Sequence, residues 1–191
     1  MTQPNLTSVD WSKIPPPEDD GAAAHLVNMT IPSVSLRATD DSVVDLSELK
    51  GRTVVFGYPR TGEPGKIGLT YDWDMIPGAR GCTPQACSFR DLFAELKAAG
   101  AQHVFGLSTQ SNAYQTEMAA RLHLPFPVLS DDKLELTDAL NLPTMEVADL
   151  TLIKRLALIV DAAVITHVFY PVFPPDRNAG DVLEWLKANL V

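Results

Sequence analysis

Cysteine is nearly missing from this chain, with two residues in 191, Cys82 and Cys87. Two thiols scattered at random would rarely fall this close together. Long apolar runs are missing too. None approaches the roughly 18 residues of a membrane span, so no transmembrane segment is expected. Positive charge is scarce, with 15 Lys and Arg against 24 Asp and Glu and a net charge of -9. No basic cluster offsets that balance, which argues against a nucleic-acid surface. Residues 1–28 lack the basic start and apolar core of an export signal, so the expected address is cytoplasmic. Histidine is limited to His25, His103, His123 and His167. None is spaced as a ligand partner of another or of the cysteines, so each reads as structural or exposed. No internal repeat is visible, and no metal or organic cofactor is expected.

The chain is 46% hydrophobic and 20% charged. At this length, that suits one globular domain with a sizeable core. Residues 1–28 read as an N-terminal extension lying along the domain surface, because Pro15-Pro16-Pro17-Glu18-Asp19-Asp20-Gly21 continues neither helix nor strand. Residues 29–191 read as the domain.

From Val34 onward the pattern alternates. Ser33–Leu36 is strand-like, and Asp45–Leu49 has helical character. Thr53–Tyr58 is β-branched and aromatic, the mark of a buried strand. Pro59 stops it. Arg60–Arg80 is then an irregular excursion containing Gly62, Pro64, Gly65, Gly68, Pro77 and Gly78. Excursions of this length are often functional. Pro84–Ala99 carries an apolar stripe of Ala86, Phe89, Leu92, Phe93 and Leu96 at helical spacing, with Thr83 as N-cap, Pro84 at the first position and Gly100 as the stop. His103–Ser108 and Pro127–Leu129 read as strands, and Asn112–His123 and Lys133–Leu140 as helices. Leu156–Val160 and Val164–Tyr170 form a hairpin, and Asp181–Leu190 a closing helix. The order predicts an α/β fold, a mixed central β-sheet flanked by helices. The helix after Cys82 would start at the carboxyl end of Thr53–Tyr58, where open α/β sheets bind ligands.

A thiol at a helix N-terminus sits at the positive end of the helix dipole, which favours thiolate. Cys87 is near enough to capture whatever Cys82 becomes. The pair therefore points to redox chemistry by a nucleophilic cysteine.

The stretch Gly81-Cys82-Thr83-Pro84-Gln85-Ala86-Cys87-Ser88-Phe89-Arg90-Asp91 resembles the active-site segment of the peroxiredoxins, within the thioredoxin-like fold. The best match is to the group called bacterioferritin comigratory protein or peroxiredoxin Q. The resemblance runs from about Val34 to Leu190. It implies that Cys82 is the peroxidatic cysteine, whose thiolate attacks a hydroperoxide and becomes a sulfenic acid. It implies that Cys87 is the resolving cysteine, which closes a disulfide. A thioredoxin- or glutaredoxin-like dithiol protein would then reduce that disulfide. Arg155 matches the family's arginine, a donor beside the thiolate and the peroxide. Such a cycle permits a monomer or a homodimer.

One departure stands out. The family carries Pro-x-x-x-Thr-x-x-Cys, but here Met75 and Ala79 fall at the proline and threonine positions. The excursion then reads as an insertion within the motif. Pro59 would keep the proline's shielding role and Thr61 would supply the hydroxyl, with Thr83 or Arg80 as substitutes. Spacing adds a constraint. Five residues of α-helix rise about 7.5 Å, beyond the reach of about 7 Å that a disulfide allows between Cα atoms. If both cysteines lie in an intact helix, the first turns must melt when they join. The alternatives are a thioredoxin-like disulfide oxidoreductase, a peroxide sensor and a metal-binding redoxin module.

Overall fold

The protein, a computed structural model, is described over residues 9–66 and 68–190. Among the described residues, nine strands form two sheets: β1 Ser35–Ala38, β2 Val43–Asp45, β3 Arg52–Gly57, β4 His103–Ser108, β5 Val128–Ser130, β6 Thr144–Val147, β7 Leu150–Ile153, β8 Leu156–Asp161 and β9 Val164–Phe169. The helices are α1 Cys82–Asp91, α2 Phe93–Ala98, α3 Asn112–Leu122, α4 Glu135–Leu140 and α5 Asn178–Ala188.

The main sheet has the order β2-β1-β5-β4-β3-β8-β9. β3 pairs parallel to β4, and β4 to β5. β8 pairs antiparallel to β3, β9 to β8 and β1 to β5. The expected mixed α/β sheet is therefore present.

Alternation along the central strands divides the core between the two faces. Val54, Phe56 and Tyr58 join Val104, Val128, Ala157 and Ile159 on one face, beneath Ala86, Phe89, Met118, Val182 and Leu186 of the helices. Val55 joins Leu36, Phe105, Leu107, Leu129, Leu158 and Val160 on the other, beneath Leu26, Leu136 and Leu140. On the first face Phe56 stacks on Phe89 with centroids 4.1 Å apart, tying α1 to the middle of the sheet. At about 25 cal/mol per Å² of apolar area, such ring burial is a major part of what seats α1.

Several elements differ from expectation. The predicted helix over 84–99 starts two residues earlier, at Cys82, and breaks at Leu92 (φ -100°, ψ 11°) into α1 and α2. Gly81, not Thr83, is the N-cap, and no side chain caps it. Pro84 is therefore the third helical residue, still within the turn whose N–H groups lack helical partners. Asp45–Leu49 forms only a 3-10 turn over Leu46–Glu48, capped by the Asp45 carboxylate accepting from the Ser47 N–H.

The hairpin β6–β7 was not anticipated. Its turn, Ala148 (φ 48°) and Asp149 (φ 60°), has both central residues left-handed without glycine. Tight hairpins want that conformation, but Ala-Asp does not advertise it.

The N-terminal stretch is built into the domain. Ile14, Ala23 and Leu26 are buried. Asn28 N–H donates to Ile165, Ile31 N–H to Ala163, and Ile165 N–H to Met29. Residues 28–31 thus cover the free edge of β9, and the expected boundary at 28/29 falls inside this ladder. Residues 1–8 lie outside the described part.

Candidate active site

The start of α1 packs against Pro175, in the 3-10 turn Pro175–Arg177 that leads into α5. Gly81 adopts φ 107°, a conformation glycine reaches easily, and turns the chain so that Cys82 is the first helical residue. Pro175 leaves no room for a side chain there, since a Cβ on Gly81 would lie 2.5 Å from its Cγ.

Cys82 is 3% exposed. Its Sγ has two polar neighbours. Arg155 Nη2 lies 3.2 Å away, and the thiol is directed at the Ala79 carbonyl at 3.6 Å. Cys82 and Cys87 are both free thiols.

Arg155 lies just before β8 and is 2% exposed, not the surface charge that a strand-end arginine usually is. Its Nη2 also donates to the carbonyls of Gly78, Ala79 and Arg80, at 3.2, 3.2 and 3.1 Å. Nη1 donates to Gln85 Oε1, and Gln85 Nε2 donates to Asn178 Oδ1 at 2.9 Å. Nε has no partner among the described residues. A buried charge needs such a cage of acceptors, and here it comes mainly from neutral carbonyl and amide oxygens. The end of the excursion therefore has a definite job, because its main chain holds the guanidinium against the sulfur.

Cys87 lies in the same unbroken helix and is half-buried. Burial is the largest influence on its thiol and pushes it up, while the charge of Arg90 opposes the shift. Five helical residues put Cys87 about 7.5 Å along the axis and roughly 140° around it from Cys82. The two sulfurs face different directions.

Pro59 and Thr61 lie just beyond the end of β3. Pro59 is buried directly after β3. Thr61 is 1% exposed, and both its N–H and its hydroxyl donate to Gln110 Oε1, at 2.9 and 3.2 Å. Gln110 Nε2 donates back to the Thr61 carbonyl at 3.2 Å. Gln115 carries this network on, donating to the Gln110 carbonyl at 2.9 Å and accepting from the Tyr58 hydroxyl at 3.4 Å. The Thr61 hydroxyl is thus committed to Gln110, and it faces a cavity of about 330 Å³ shared with Arg60, Trp73 and Tyr114. Arg155 lines a different cavity of about 110 Å³ with Pro17, Gly78, Lys154 and Tyr170.

The substitutes differ as well. Arg80 pairs with Asp74 at 2.7 Å and contributes only its carbonyl to the cage, while Thr83 is the second residue of α1. Tyr58 is fully buried, and desolvation pushes its hydroxyl far above the usual range.

Gln85, Asn178 and the carbonyls of 78–80 were not anticipated. A glutamine in an amphipathic helix reads as solvent-facing, and main-chain acceptors leave no trace in a sequence. Among the described residues, no group of three or more His, Cys, Asp or Glu side chains gathers to hold a metal ion, and no helix is long and apolar enough to cross a membrane.

Residues 26–183 match the Redoxin family. A chloroplastic peroxiredoxin Q of Oryza sativa subsp. japonica is 33% identical over 161 residues, covering 82% of this chain and 64% of its own. The chain thus spans a little under two thirds of that relative. A chloroplastic peroxiredoxin Q of Sedum lineare is 31% identical over 163 residues, covering 83% of this chain and 76% of its own. Among solved structures, peroxidoxin BcpB from Mycobacterium tuberculosis superposes with a TM-score of 0.67 at 24% identity, over 85% of this chain and 96% of that one. Peroxiredoxin Q of Xanthomonas campestris gives 0.66 at 21%, over 83% and 92%. At these identities the two structures speak for the fold.

Proposed function

The chain belongs to the redoxin family, in its bacterioferritin comigratory protein and peroxiredoxin Q branch, and from that membership we propose that it is a thiol-dependent peroxidase with Cys82 as nucleophile. The observation that carries the reading is the 3.2 Å contact between Arg155 Nη2 and Cys82 Sγ, two side chains that are 2% and 3% exposed. A guanidinium so placed stabilises negative charge on sulfur and can donate to an oxygen of a bound hydroperoxide.

The thiolate attacks the terminal oxygen of the hydroperoxide, the O–O bond breaks, and the alkoxide or hydroxide leaves with a proton. Cys82 is then a sulfenic acid. Cys87 attacks that sulfur, a disulfide forms and water leaves. A dithiol protein of the thioredoxin or glutaredoxin kind reduces the disulfide by exchange. The substrates are hydrogen peroxide and small organic hydroperoxides.

Because both cysteines lie in one unbroken helix, the resolving step requires the first turns of α1 to unwind. Pro59 packs at the end of β3 and shields the site. Thr61 would supply a hydroxyl to the peroxide only by giving up its bond to Gln110, since it lines a cavity other than the one Arg155 lines. The cycle needs a reducing setting, and we place it in the cytoplasm.

The test is peroxide consumption by Cys82→Ser with a dithiol reductant. Loss of at least about a thousandfold in rate is expected for a missing nucleophile. Activity near that of the wild type would refute the reading.

A further inference from the structure

Residues 9–25 precede the stretch matched by the redoxin family, yet they grip the start of α1 at two places. Trp11 donates from Nε1 to Asp176 Oδ2 at 2.9 Å and packs edge-on against Phe173, with centroids 6.0 Å apart. Its ring tip rests on Gly81, since a Cβ there would lie 2.7 Å from Trp11 Cη2. Gly81 is thereby wedged between Trp11 and Pro175. Further along, Pro17 lies over Gly78, with 3.6 Å between its Cβ and a Cβ built on that glycine. Asp20 then closes the strap, accepting from Lys154 Nζ at 2.6 Å and from the Tyr170 hydroxyl at 2.7 Å. Gly78 and Gly81 flank Ala79 and Arg80, so the strap presses on the segment that cages Arg155 and opens α1.

We infer that this strap is a brake on the joining of the two cysteines: Trp11, seated on Gly81 and Asp176, holds the first turn of α1 helical and so sets how fast Cys87 reaches Cys82. The inference rests on the proposed roles of the two thiols. Unwinding α1 from its start must move Gly81, and Gly81 moves only when Trp11 gives way. Trp11 is a positioning residue, since it touches neither sulfur.

The consequence is a competition. The sulfenic acid on Cys82 either condenses with the Cys87 thiol, releasing water, or reacts with a second hydroperoxide. The latter transfers an oxygen, leaves a sulfinic acid on Cys82 and releases the alcohol or water. A slower first route favours the second. The strap therefore sets the hydroperoxide concentration at which the protein inactivates itself.

The experiment is a single turnover of the full chain with hydrogen peroxide, quenched with a thiol-blocking reagent and resolved by intact mass. It follows Cys82 oxidation and disulfide formation separately in the wild type, Trp11→Ala, Trp11→Phe and Asp20→Ala. Trp11→Ala should leave the Cys82 oxidation rate within about twofold and speed disulfide formation by about tenfold, one aromatic contact's worth. The hydroperoxide concentration giving half sulfinic acid should rise by the same factor. Trp11→Phe should fall between, since it keeps a ring but not the Nε1 donor, and Asp20→Ala should move in the direction of Trp11→Ala without touching the core. Normal Cys82 oxidation with unchanged disulfide rates in both Trp11→Ala and Asp20→Ala would overturn the brake alone. A wild type whose Cys82 does not oxidise would overturn the peroxidase reading beneath it, and the brake with it.

Discussion

Gln85 and Arg155 are hydrogen-bonded through Oε1 and Nη1, and Gln85 stands one turn beyond Cys82 on the same helix. The helix that carries the sulfur therefore also carries the side chain that steadies its cationic partner. Asn178, the first residue of α5, holds Gln85 from behind. Unwinding the first turns of α1 would release Arg155 and Cys82 together.

Replacing Gln85 with Leu should slow Cys82 oxidation by about tenfold, because Arg155 loses one tether and Asn178 its partner. The same change should lower stability by about 1–3 kcal/mol, the cost of leaving buried polar groups unpaired. Stopped-flow peroxide reaction and urea unfolding read the two effects. A normal rate would show that Arg155 is held well enough by the three carbonyls alone.

Arg155→Lys should not be a mild change. Lysine keeps the charge but lacks the planar fork that meets three carbonyls, Gln85 and the sulfur together. The second-order rate with hydrogen peroxide should fall about a hundredfold, in line with removal of a preorganised donor. A lysine variant within threefold of wild type would show that charge alone suffices.

The Cys87 thiol is pushed up, chiefly by burial. A thiol that the helical form keeps neutral favours that form below the ordinary thiol range, and this preference is lost as pH rises through the raised value. Higher pH also supplies more attacking thiolate. Disulfide formation after one equivalent of peroxide should therefore accelerate steadily across the alkaline range. Its rate can be followed by quenching at set times. A rate that is flat or falling with pH would contradict the assignment.

Gly81→Ala should be poorly tolerated for two separate reasons. Its φ of 107° strains any L side chain, and the new methyl would meet Pro175 and Trp11 at 2.5 and 2.7 Å. A stability loss of about 2–4 kcal/mol is expected by thermal unfolding. A melting curve matching wild type would mean that the strap and the α1 start are looser than the packing indicates.

The sequence was most legible where chemistry and periodicity coincided. The strand ending at Gly57, the helix after Cys82 and the strand His103–Ser108 all lie in residues whose types announce them. Arg155 proved buried in contact with Cys82 Sγ. Less legible were features carried by the main chain. The carbonyl cage of 78–80 looks like an irregular loop in sequence, and the Ala148–Asp149 turn has no glycine to signal it. Thr61 was placed by its position after Pro59 in the interrupted loop, and its hydroxyl donates to Gln110. The N-terminal stretch read as a tail because prolines forbid regular structure there, yet Ile14, Ala23 and Leu26 bury in the domain without it.

In the proposed cycle Cys82 takes oxygen from the hydroperoxide and Cys87 closes the disulfide. Intact mass after one equivalent of hydrogen peroxide tests it most directly. The wild type should lose about 2 Da as a disulfide forms, Cys87→Ser should gain about 16 Da as a trapped sulfenic acid, and Cys82→Ser should keep its mass. Oxidation of Cys82→Ser at the wild-type rate, or a Cys87→Ser protein left unchanged by the peroxide, would contradict the account.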